Sequence, residues 1–269
     1  MTAFVNHFLF EFKTGIRNKS LLLMNYLFPF GFYVMLGLLM TGIAPFYREG
    51  MVSSMVTFAI MAATLLGLPD PLVTAREAGI FRNYKINGIP ARSILMIPVL
   101  TTIFHLLIIA VVITGTAPLF FAAPLPVNWP VFFLIFVLTA FACSGLGVLI
   151  GVISSSSRMT VLWSQIIFVP SMMLGGLVMP LEMLPEVMRR IAQLLPATHA
   201  INAFRGLTQQ LGVDFSPIAS MLILLTGGLI AFALARYLFS WDQRNPATKQ
   251  RYLAILALLP YLIGVFVLS

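Results

Sequence analysis

Residues 131–153 read VFFLIFVLTAFACSGLGVLIGVI, a block of apolar and small residues that holds no Asp, Glu, Lys or Arg. A helix needs about 20 such residues to cross the roughly 30 Å hydrocarbon core of a membrane, where it satisfies its own backbone hydrogen bonds. The whole chain agrees, because 60% of its residues are hydrophobic, 9% are charged and the mean hydropathy is +1.00. These values exceed what a water-soluble core requires, so lipid is the predicted solvent.

Blocks of this kind recur along the chain and are separated by short polar segments. Six strong blocks and a shorter seventh run over Leu21–Leu39, Met51–Leu68, Ile94–Thr114, Val131–Ile153, Thr160–Met179, Pro217–Ser240 and Leu253–Ser269. The first is too long and too lightly flanked to be a cleavable signal peptide. The sequence therefore predicts an all-α, polytopic membrane protein that forms one transmembrane domain over residues 1–269, with six transmembrane helices and a seventh at the end.

Positive charge collects in alternate connections, and cytoplasmic connections are the ones rich in Lys and Arg. One side holds Lys13, Arg17, Lys19, Arg76, Arg82, Lys85, Arg92, Arg158, Arg236, Arg244, Lys249 and Arg251. The other side holds Arg48, Arg189, Arg190 and Arg205, together with Glu49, Glu182, Glu186 and Asp214. The first side keeps the whole net charge of +8, which predicts a cytoplasmic amino terminus. Cations spread over several juxtamembrane segments indicate topology and contact with membrane lipids, and not nucleic acid.

The first 19 residues have the pattern of a helix that lies on a membrane. Six apolar residues fall within one arc of about 140° when the segment is plotted at 100° per residue. They are Phe4, Val5, Phe8, Leu9, Phe12 and Ile16, while Asn6, His7, Glu11, Lys13 and Arg17 face the other way. We expect an amphipathic interfacial helix over residues 1–19.

Residues 74–92 join the second and third blocks and read TAREAGIFRNYKINGIPAR. Apolar residues among the charges, at Ile80, Phe81, Tyr84 and Ile86, predict a short cytoplasmic amphipathic helix that ends near Gly88. An ordinary solvated loop that follows the positive-inside pattern is the alternative. The aromatic residues among the cations favour a surface that docks another protein.

Residues 180–212 join the fifth and sixth blocks on the side predicted to be external. Apolar residues repeat at helical spacing between Pro185 and Pro196, and a second short segment runs from His199 to Leu207. Two short re-entrant helices that dip into the outer leaflet fit this pattern better than an exposed loop.

Motifs that carry chemistry are scarce. The sequence has no G-x-x-x-x-G-K-[ST] phosphate-binding motif, and its single cysteine, Cys143, excludes an internal disulfide and a zinc cluster of cysteines. An intramembrane enzyme remains a possible function. His105 and Ser164 are its candidate catalytic residues, although their spacing in the sequence does not indicate that they lie together. An ion-coupled secondary transporter also remains open, although its one candidate acid, Asp70, stands between two prolines and suits a helix end.

Several short strings follow one another in a specific order. They are the amphipathic start, Arg76-Glu77-Ala78-Gly79-Ile80, Met173-Leu174-Gly175-Gly176, Met179-Pro180-Leu181-Glu182-Met183-Leu184-Pro185 and Leu195-Pro196-Ala197-Thr198-His199-Ala200-Ile201. In this order and placement the chain resembles, over most of its length, the ABC-2 type (type-2 ABC exporter) permease family. Members of that family are membrane subunits that work with separate ATP-hydrolysing subunits.

The resemblance implies a permease dimer, formed with a second copy or a related chain in the inner (plasma) membrane of a prokaryote. An outward path between the two halves would carry a hydrophobic or amphipathic substrate, with a drug, a lipid-like compound and a peptide all open. An ABC ATPase would dock beneath the first cytoplasmic loop and bind ATP and Mg, so this chain would need no cofactor or metal.

The resemblance also implies which residues carry these roles. The expected ATPase-coupling residues are Arg76, Glu77, Phe81, Arg82, Tyr84 and Lys85. The expected path residues are Met35, Phe168, Met172, Met173 and Met179, for which simple packing is the alternative.

The tail departs from the family pattern, because such permeases usually finish in the cytoplasm after six spans. We expect Leu253–Leu268 to cross the bilayer and to leave Ser269 outside, since the cations up to Arg251 anchor its inner end. At an α-helical rise of 1.5 Å this segment reaches about 24 Å, short of the average core, and Pro260 lies in its middle. A helix that lies on the membrane is the alternative.

Overall fold

The computed structural model describes residues 12–13, 18–44, 47–241 and 247–268. These residues are mostly helical and include no strand. The predicted all-α, polytopic membrane architecture is thereby confirmed. Most of the interfacial helix predicted over residues 1–19 lies outside the described residues, as does Ser269.

The helices of the described segments are labelled in chain order. They run over Lys19–Ile43 (α1), Tyr47–Glu77 (α2), Ile80–Ile86 (α3), Ala91–Phe121 (α4), Trp129–Ile153 (α5), Ser157–Leu174 (α6), Glu186–Ala192 (α7), Pro196–Thr208 (α8), Pro217–Leu238 (α9) and Arg251–Leu268 (α10). Among the described residues, six helices are long and apolar enough to cross a membrane, namely α1, α2, α4, α5, α9 and α10.

The fifth predicted block, Thr160–Met179, overruns the helix that forms there. α6 ends at Leu174, because Gly175 caps it and Gly176 takes a left-handed conformation with a φ of 83°, which suits glycine. The predicted boundary at Met179 is therefore wrong. α6 has 18 residues and, with Arg158 and Gln165 among them, is less apolar than the six helices named above, so its crossing of the membrane stays a prediction.

α2 and α4 are longer than the blocks from which they were predicted. Each has 31 residues, which corresponds to about 46 Å at 1.5 Å per residue and exceeds the roughly 30 Å of hydrocarbon. α2 continues past the predicted end at Leu68 as far as Glu77, and α4 begins at Ala91. Both helices are therefore longer than the hydrocarbon core requires, and the loop of residues 78–90 joins their facing ends.

α2 lies at the centre of the bundle. Of its most apolar 18-residue window, 94% is buried inside the protein, against 28% for α1. Glycine lets α5 pack closely against α2 and α9. A Cβ atom at Gly147 of α5 would lie 2.2 Å from the carbonyl oxygen of Thr64 in α2, and one at Gly228 of α9 would lie 2.4 Å from the ring of Phe141 in α5. Small residues allow membrane helices to approach this closely.

α1 and α2 each contain a π-helical segment, at Leu23–Leu27 and Ala62–Gly67, and the two segments pack against each other. Pro69 follows the second segment and has no N–H group. The carbonyl oxygen of Leu65 therefore lacks the donor that an ordinary helix provides four residues later. Ser164 of α6 supplies this bond, with its hydroxyl oxygen 2.5 Å from the carbonyl oxygen, and so joins α6 to α2.

α10 packs along α9, where the Tyr261 ring covers Gly227. The first part of α10, up to Leu258, belongs to a 3₁₀ helix that begins at Ala247, and the remainder is α-helical. A 3₁₀ helix rises about 2.0 Å per residue and an α-helix 1.5 Å, so α10 reaches about 31 Å. This length matches the hydrocarbon core better than the length expected from α-helical geometry alone.

We expect α10 to cross the bilayer, because it is long enough and cations precede it. Alkaline phosphatase fused after Ser269 should therefore be active, and green fluorescent protein fused there should be dark. The same two reporters fused after Trp241, before α10, should give the opposite result. Fluorescence without phosphatase activity at Ser269 would show that the carboxyl terminus lies in the cytoplasm and that α10 does not cross.

Candidate functional site

The loop between α2 and α4, predicted to be cytoplasmic, contains the short helix α3. Gly79 and Gly88, on either side of it, have φ angles of 72° and 71°, a left-handed conformation that favours glycine. Gly79 turns the chain after α2, Gly88 follows the end of α3, and Pro90 then precedes α4. A helix thus forms where the sequence predicts one.

Phe81 and Tyr84 lie toward the protein body. Phe81 is buried, and its ring centroid lies 5.6 Å from that of Phe239, which lies 5.2 Å from that of Trp241. Tyr84 is half-buried, and its carbonyl oxygen accepts a hydrogen bond from the backbone N–H of Ile89. The contact of Phe81 with Phe239 attaches α3 to the end of α9.

Arg76 is also turned inward and is only 7% exposed. Its guanidinium donates hydrogen bonds to the carbonyl oxygen of Val152, at 2.8 Å, and to that of Ser154. Both oxygens lie at the carboxyl end of α5, where unpaired carbonyl groups concentrate negative partial charge. Arg76 therefore ties the end of α2 to the turn between α5 and α6.

The remaining predicted coupling residues, Glu77, Arg82 and Lys85, are exposed. Ile80 and Ile86 are exposed beside them, Ile86 with 77% of its surface. We define these five residues as the loop surface. The two isoleucines are apolar members of the segment in the sequence, and the family resemblance gives them no role. The exposure of Ile86 can be read from helical spacing. Phe81 and Tyr84 are three residues apart and define one face of a helix, and Ile86 falls on the opposite face.

The predicted path residues divide into two groups. Met35 of α1, Met173 of α6 and Met179 are exposed, and Met172 is half-buried. Phe168 is buried, and its ring centroid lies 5.7 Å from that of Phe58 and 6.5 Å from that of Phe28. Phe168 thus packs in the core between α1, α2 and α6, away from the open surface.

The exposed face of α6 carries a polar residue that sequence analysis missed. Gln165 is exposed on a helix whose other exposed residues include Leu162, Ile166, Val169 and Met173. A side-chain amide has no hydrogen-bond partner in hydrocarbon, and leaving it unsatisfied costs several kcal/mol. This face is therefore suited to contact with protein or water. The sequence feature that indicates this position is an uncharged polar residue inside an apolar block.

The segment between α6 and α9 contains the two short helices that the sequence predicts, α7 and α8. α8 is largely buried: the His199 ring Nε2 lies 2.8 Å from the carbonyl oxygen of Gln193, and the Asn202 amide donates to Ser220 at 3.0 Å. Arg205 pairs with Glu182 at 2.9 Å.

Asp214 belongs to the same charged group. Its carboxylate lies 3.8 Å from the Arg189 guanidinium. Burial, together with repulsion from Glu182, raises the pKa of the Asp214 carboxyl, and Arg189 and Arg205 oppose this shift. Three of the four arginines that the sequence assigns to the external side thus pair with acids of that side, whereas Arg48 donates to the carbonyl oxygen of Thr41.

The residues that the enzyme hypothesis requires are not brought together. The His105 ring Nδ1 lies 2.6 Å from the Tyr26 hydroxyl, whereas Ser164 bonds to the Leu65 carbonyl oxygen. Asp70 is exposed in the last part of α2. No group of three or more His, Cys, Asp or Glu side chains within the described segments is placed to hold a metal ion.

The fold is that of a multi-pass helical membrane protein with an anchored loop helix on one side and two short helices on the other, of which α8 is largely buried. Comparison with known families agrees with the predicted resemblance. The chain belongs to the ABC-2 type transporter family, whose family model matches residues 4–208. Its role is therefore that of a transport permease, and membership of this family implies an ABC transporter system with an ATPase partner.

Two relatives carry names of the same kind. The chain is 25% identical over 193 residues to YvfS of Bacillus subtilis (strain 168), named a transport permease, and the match covers 70% of this chain and 78% of that protein. It is 23% identical over 201 residues to the inner membrane transport permease YhhJ of Escherichia coli (strain K12), a match that covers 72% of this chain and 52% of YhhJ. The chain thus spans about half the length of YhhJ.

The Arg76 hydrogen bonds should be needed for stability. Arg76→Met removes both donors and leaves the carbonyl oxygens of Val152 and Ser154 without them, and hydrogen bonds to charged groups contribute about 1.5–3 kcal/mol each. We expect the unfolding free energy, measured by titration with sodium dodecyl sulfate in mixed micelles, to fall by about 2 kcal/mol or more. Lys85→Met, on the exposed side of α3, is the control and should change it by less than about 0.5 kcal/mol. Equal effects of the two variants would contradict the assignment.

Proposed function

We propose that this chain is the membrane-spanning subunit of an ATP-driven ABC exporter in a prokaryotic inner (plasma) membrane, with its amino terminus in the cytoplasm. A separate ATPase subunit binds ATP and Mg and docks on the loop surface. The observation that carries this proposal is the geometry of α3, a seven-residue helix that exposes charged and apolar side chains on one side and is anchored on the other.

The two anchors give the loop a mechanical role. Arg76 connects it to the turn between α5 and α6, and Phe81 connects it to the end of α9. A displacement of α3 is therefore passed to three helices. The ATPase drives export by binding one conformation of the permease better than another as ATP is bound and hydrolysed, which shifts the population between inward-open and outward-open states.

The exposed face of α1 and α6 is the proposed contact with a second copy or a related chain. It carries Met35, Met173 and the polar Gln165. A partner chain or a substrate path on this face would keep the Gln165 amide out of the lipid. Flexible methionine side chains adapt to ligands of varied shape. A path along this face suits a hydrophobic or amphipathic substrate, such as a drug, a lipid-like compound or a peptide.

An ion-coupled secondary transporter is the rival function. Such a carrier needs a titratable group along its ion path, and Asp70 is exposed on the last part of α2. Transport of a substrate by the purified permease alone in proteoliposomes, driven by an ion gradient, would favour this rival over the exporter.

The ATPase contact can be captured at Ile86, the more exposed of the two isoleucines of the loop surface. A photo-crosslinking amino acid at Ile86 should form an adduct with an ABC ATPase in native membranes, identified by mass spectrometry. The same amino acid at Leu119, which is 79% exposed at the far end of α4, should form none. Absence of an ATPase adduct at Ile86, or equal adducts at both positions, would overturn the docking assignment. Adding Arg82→Glu should reduce the adduct several-fold.

The proposed contact between halves can be tested with single cysteines. In a Cys143→Ala background, Met35→Cys and Met173→Cys should each give a disulfide-linked dimer, or a link to a co-expressed related chain, on mild oxidation in membranes. Val111→Cys, exposed on α4, is the matched control and should remain unlinked. Dimer formed equally at all three positions would indicate random collision and would contradict the interface.

A further inference from the structure

A crevice of about 380 Å³ opens between α5, α6 and α10, on the side predicted to be cytoplasmic. Most of its wall is apolar, and includes Leu149, Ile150, Ile153, Ile167 and Leu258. α10, which forms one wall, lies beyond the part of the chain that matches the family model. The crevice therefore depends on the segment in which this chain departs from the expected pattern.

One end of the crevice is polar and positively charged. Arg251, Ser154 and Ser155 lie there. Arg251 forms no ion pair with any residue of the described segments. It lies close enough to Arg76 for the two positive charges to repel each other. An anion between these charges would relieve the repulsion.

Ser154 provides a second, independent indication. Its side chain is 1% exposed and lines the crevice, and its hydroxyl oxygen has no hydrogen-bond partner among the described residues. A buried hydroxyl without a partner costs about 1–3 kcal/mol. A ligand oxygen at the polar end of the crevice would satisfy it.

The aromatic residues of the crevice suit a position at the membrane surface. Trp163 and Tyr252 both line it, and both are exposed. Trp and Tyr are enriched where the acyl chains of lipids meet their headgroups. A ligand of this crevice therefore combines an anionic head at the level of Arg251 with an apolar tail that runs along α5 and α6.

We propose that the crevice binds an anionic phospholipid of the cytoplasmic leaflet. Its phosphate accepts hydrogen bonds from Arg251 and from the hydroxyl groups of Ser154 and Ser155, and one acyl chain lies against Ile150 and Ile167. Charge complementarity selects this occupant, because anionic lipids are the abundant anions with apolar tails at the inner surface of a membrane. α10 thereby holds a lipid beside the turn to which Arg76 binds.

The chain contains its own fluorescent probe and control. Trp163 lines the crevice, whereas Trp129 lies in a different apolar pocket near Leu125 and Phe133, whose lining carries no charged residue. Two full-length variants are made, one with Trp163 as the single tryptophan (Trp129→Phe, Trp241→Phe) and one with Trp129 (Trp163→Phe, Trp241→Phe). Each is reconstituted in phosphatidylcholine vesicles with brominated phosphatidylglycerol or, at the same mole fraction, brominated phosphatidylcholine, whose bromine atoms quench nearby tryptophan.

We expect Trp163 to be quenched with a roughly fivefold preference for phosphatidylglycerol over phosphatidylcholine, the ratio expected from one cation near the membrane surface. Arg251→Gln should abolish this preference, and Arg251→Lys should keep most of it. Arg236→Gln removes an exposed cation outside the crevice and should leave the preference unchanged. Trp129 should have none.

Three results would overturn the proposal. Equal quenching of Trp163 by the two lipids would exclude selection by headgroup. A preference that survives Arg251→Gln, or that Arg236→Gln reduces equally, would indicate only the general positive charge of the surface. Protection of Trp163 from both brominated lipids would indicate that a protein segment, such as a helix of a second copy, fills the crevice.

Discussion

Hydrocarbon offers no hydrogen-bond partner, so a polar group that this chain carries into the membrane needs a partner within the protein. Some groups find it within their own helix, as Thr64 does by donating to the carbonyl oxygen of Ile60 at 2.6 Å. Others find it across a helix contact. Ser164 satisfies a carbonyl oxygen of α2 that a proline leaves without a donor, and Arg76 binds the exposed carbonyl end of α5. Together with the close approach at Gly147, these bonds determine how α2, α5 and α6 lie against one another.

Much of this architecture can be predicted from the sequence, because a membrane span is a signal of composition that a window of about 20 residues contains. Composition does not predict the direction in which a side chain points or the φ angle of a residue. Arg76 and Phe81 belong to a charged loop, and only the distant partners at the end of α5 and at Phe239 turn them inward. The residues after Leu174 are apolar, and the backbone at Gly176, not polarity, ends α6. Composition also does not reveal that Gln165 lies on the exposed face of α6.

The turn between α5 and α6 takes part in both the proposed ATPase coupling and the proposed lipid site. The carbonyl oxygen of Ser154 accepts a hydrogen bond from Arg76, at the end of α2 beside the loop proposed to dock the ATPase, and Ser154 also lines the crevice proposed to bind a lipid. Arg251 approaches from α10 on the other side. A phospholipid bound there would offset the repulsion between the two arginines and so stabilise the hydrogen bonds of Arg76. If both proposals hold, the composition of the inner leaflet and the force from the ATPase act on the same turn of the chain.

The central position of α2 also bears on how the protein is made. α2 leaves the ribosome before α4, α5, α6 and α8, which later pack against it, have been synthesised. Its buried hydroxyl groups, at Ser53 and Thr57, and the guanidinium of Arg76 then face lipid, headgroups or the translocation machinery in place of protein. The helix that is most enclosed in the finished bundle is therefore among those that wait longest for their neighbours during synthesis. Until α5 has been synthesised, Arg76 is without its carbonyl partners, so the bonds that hold the end of α2 form only after α5 has entered the membrane.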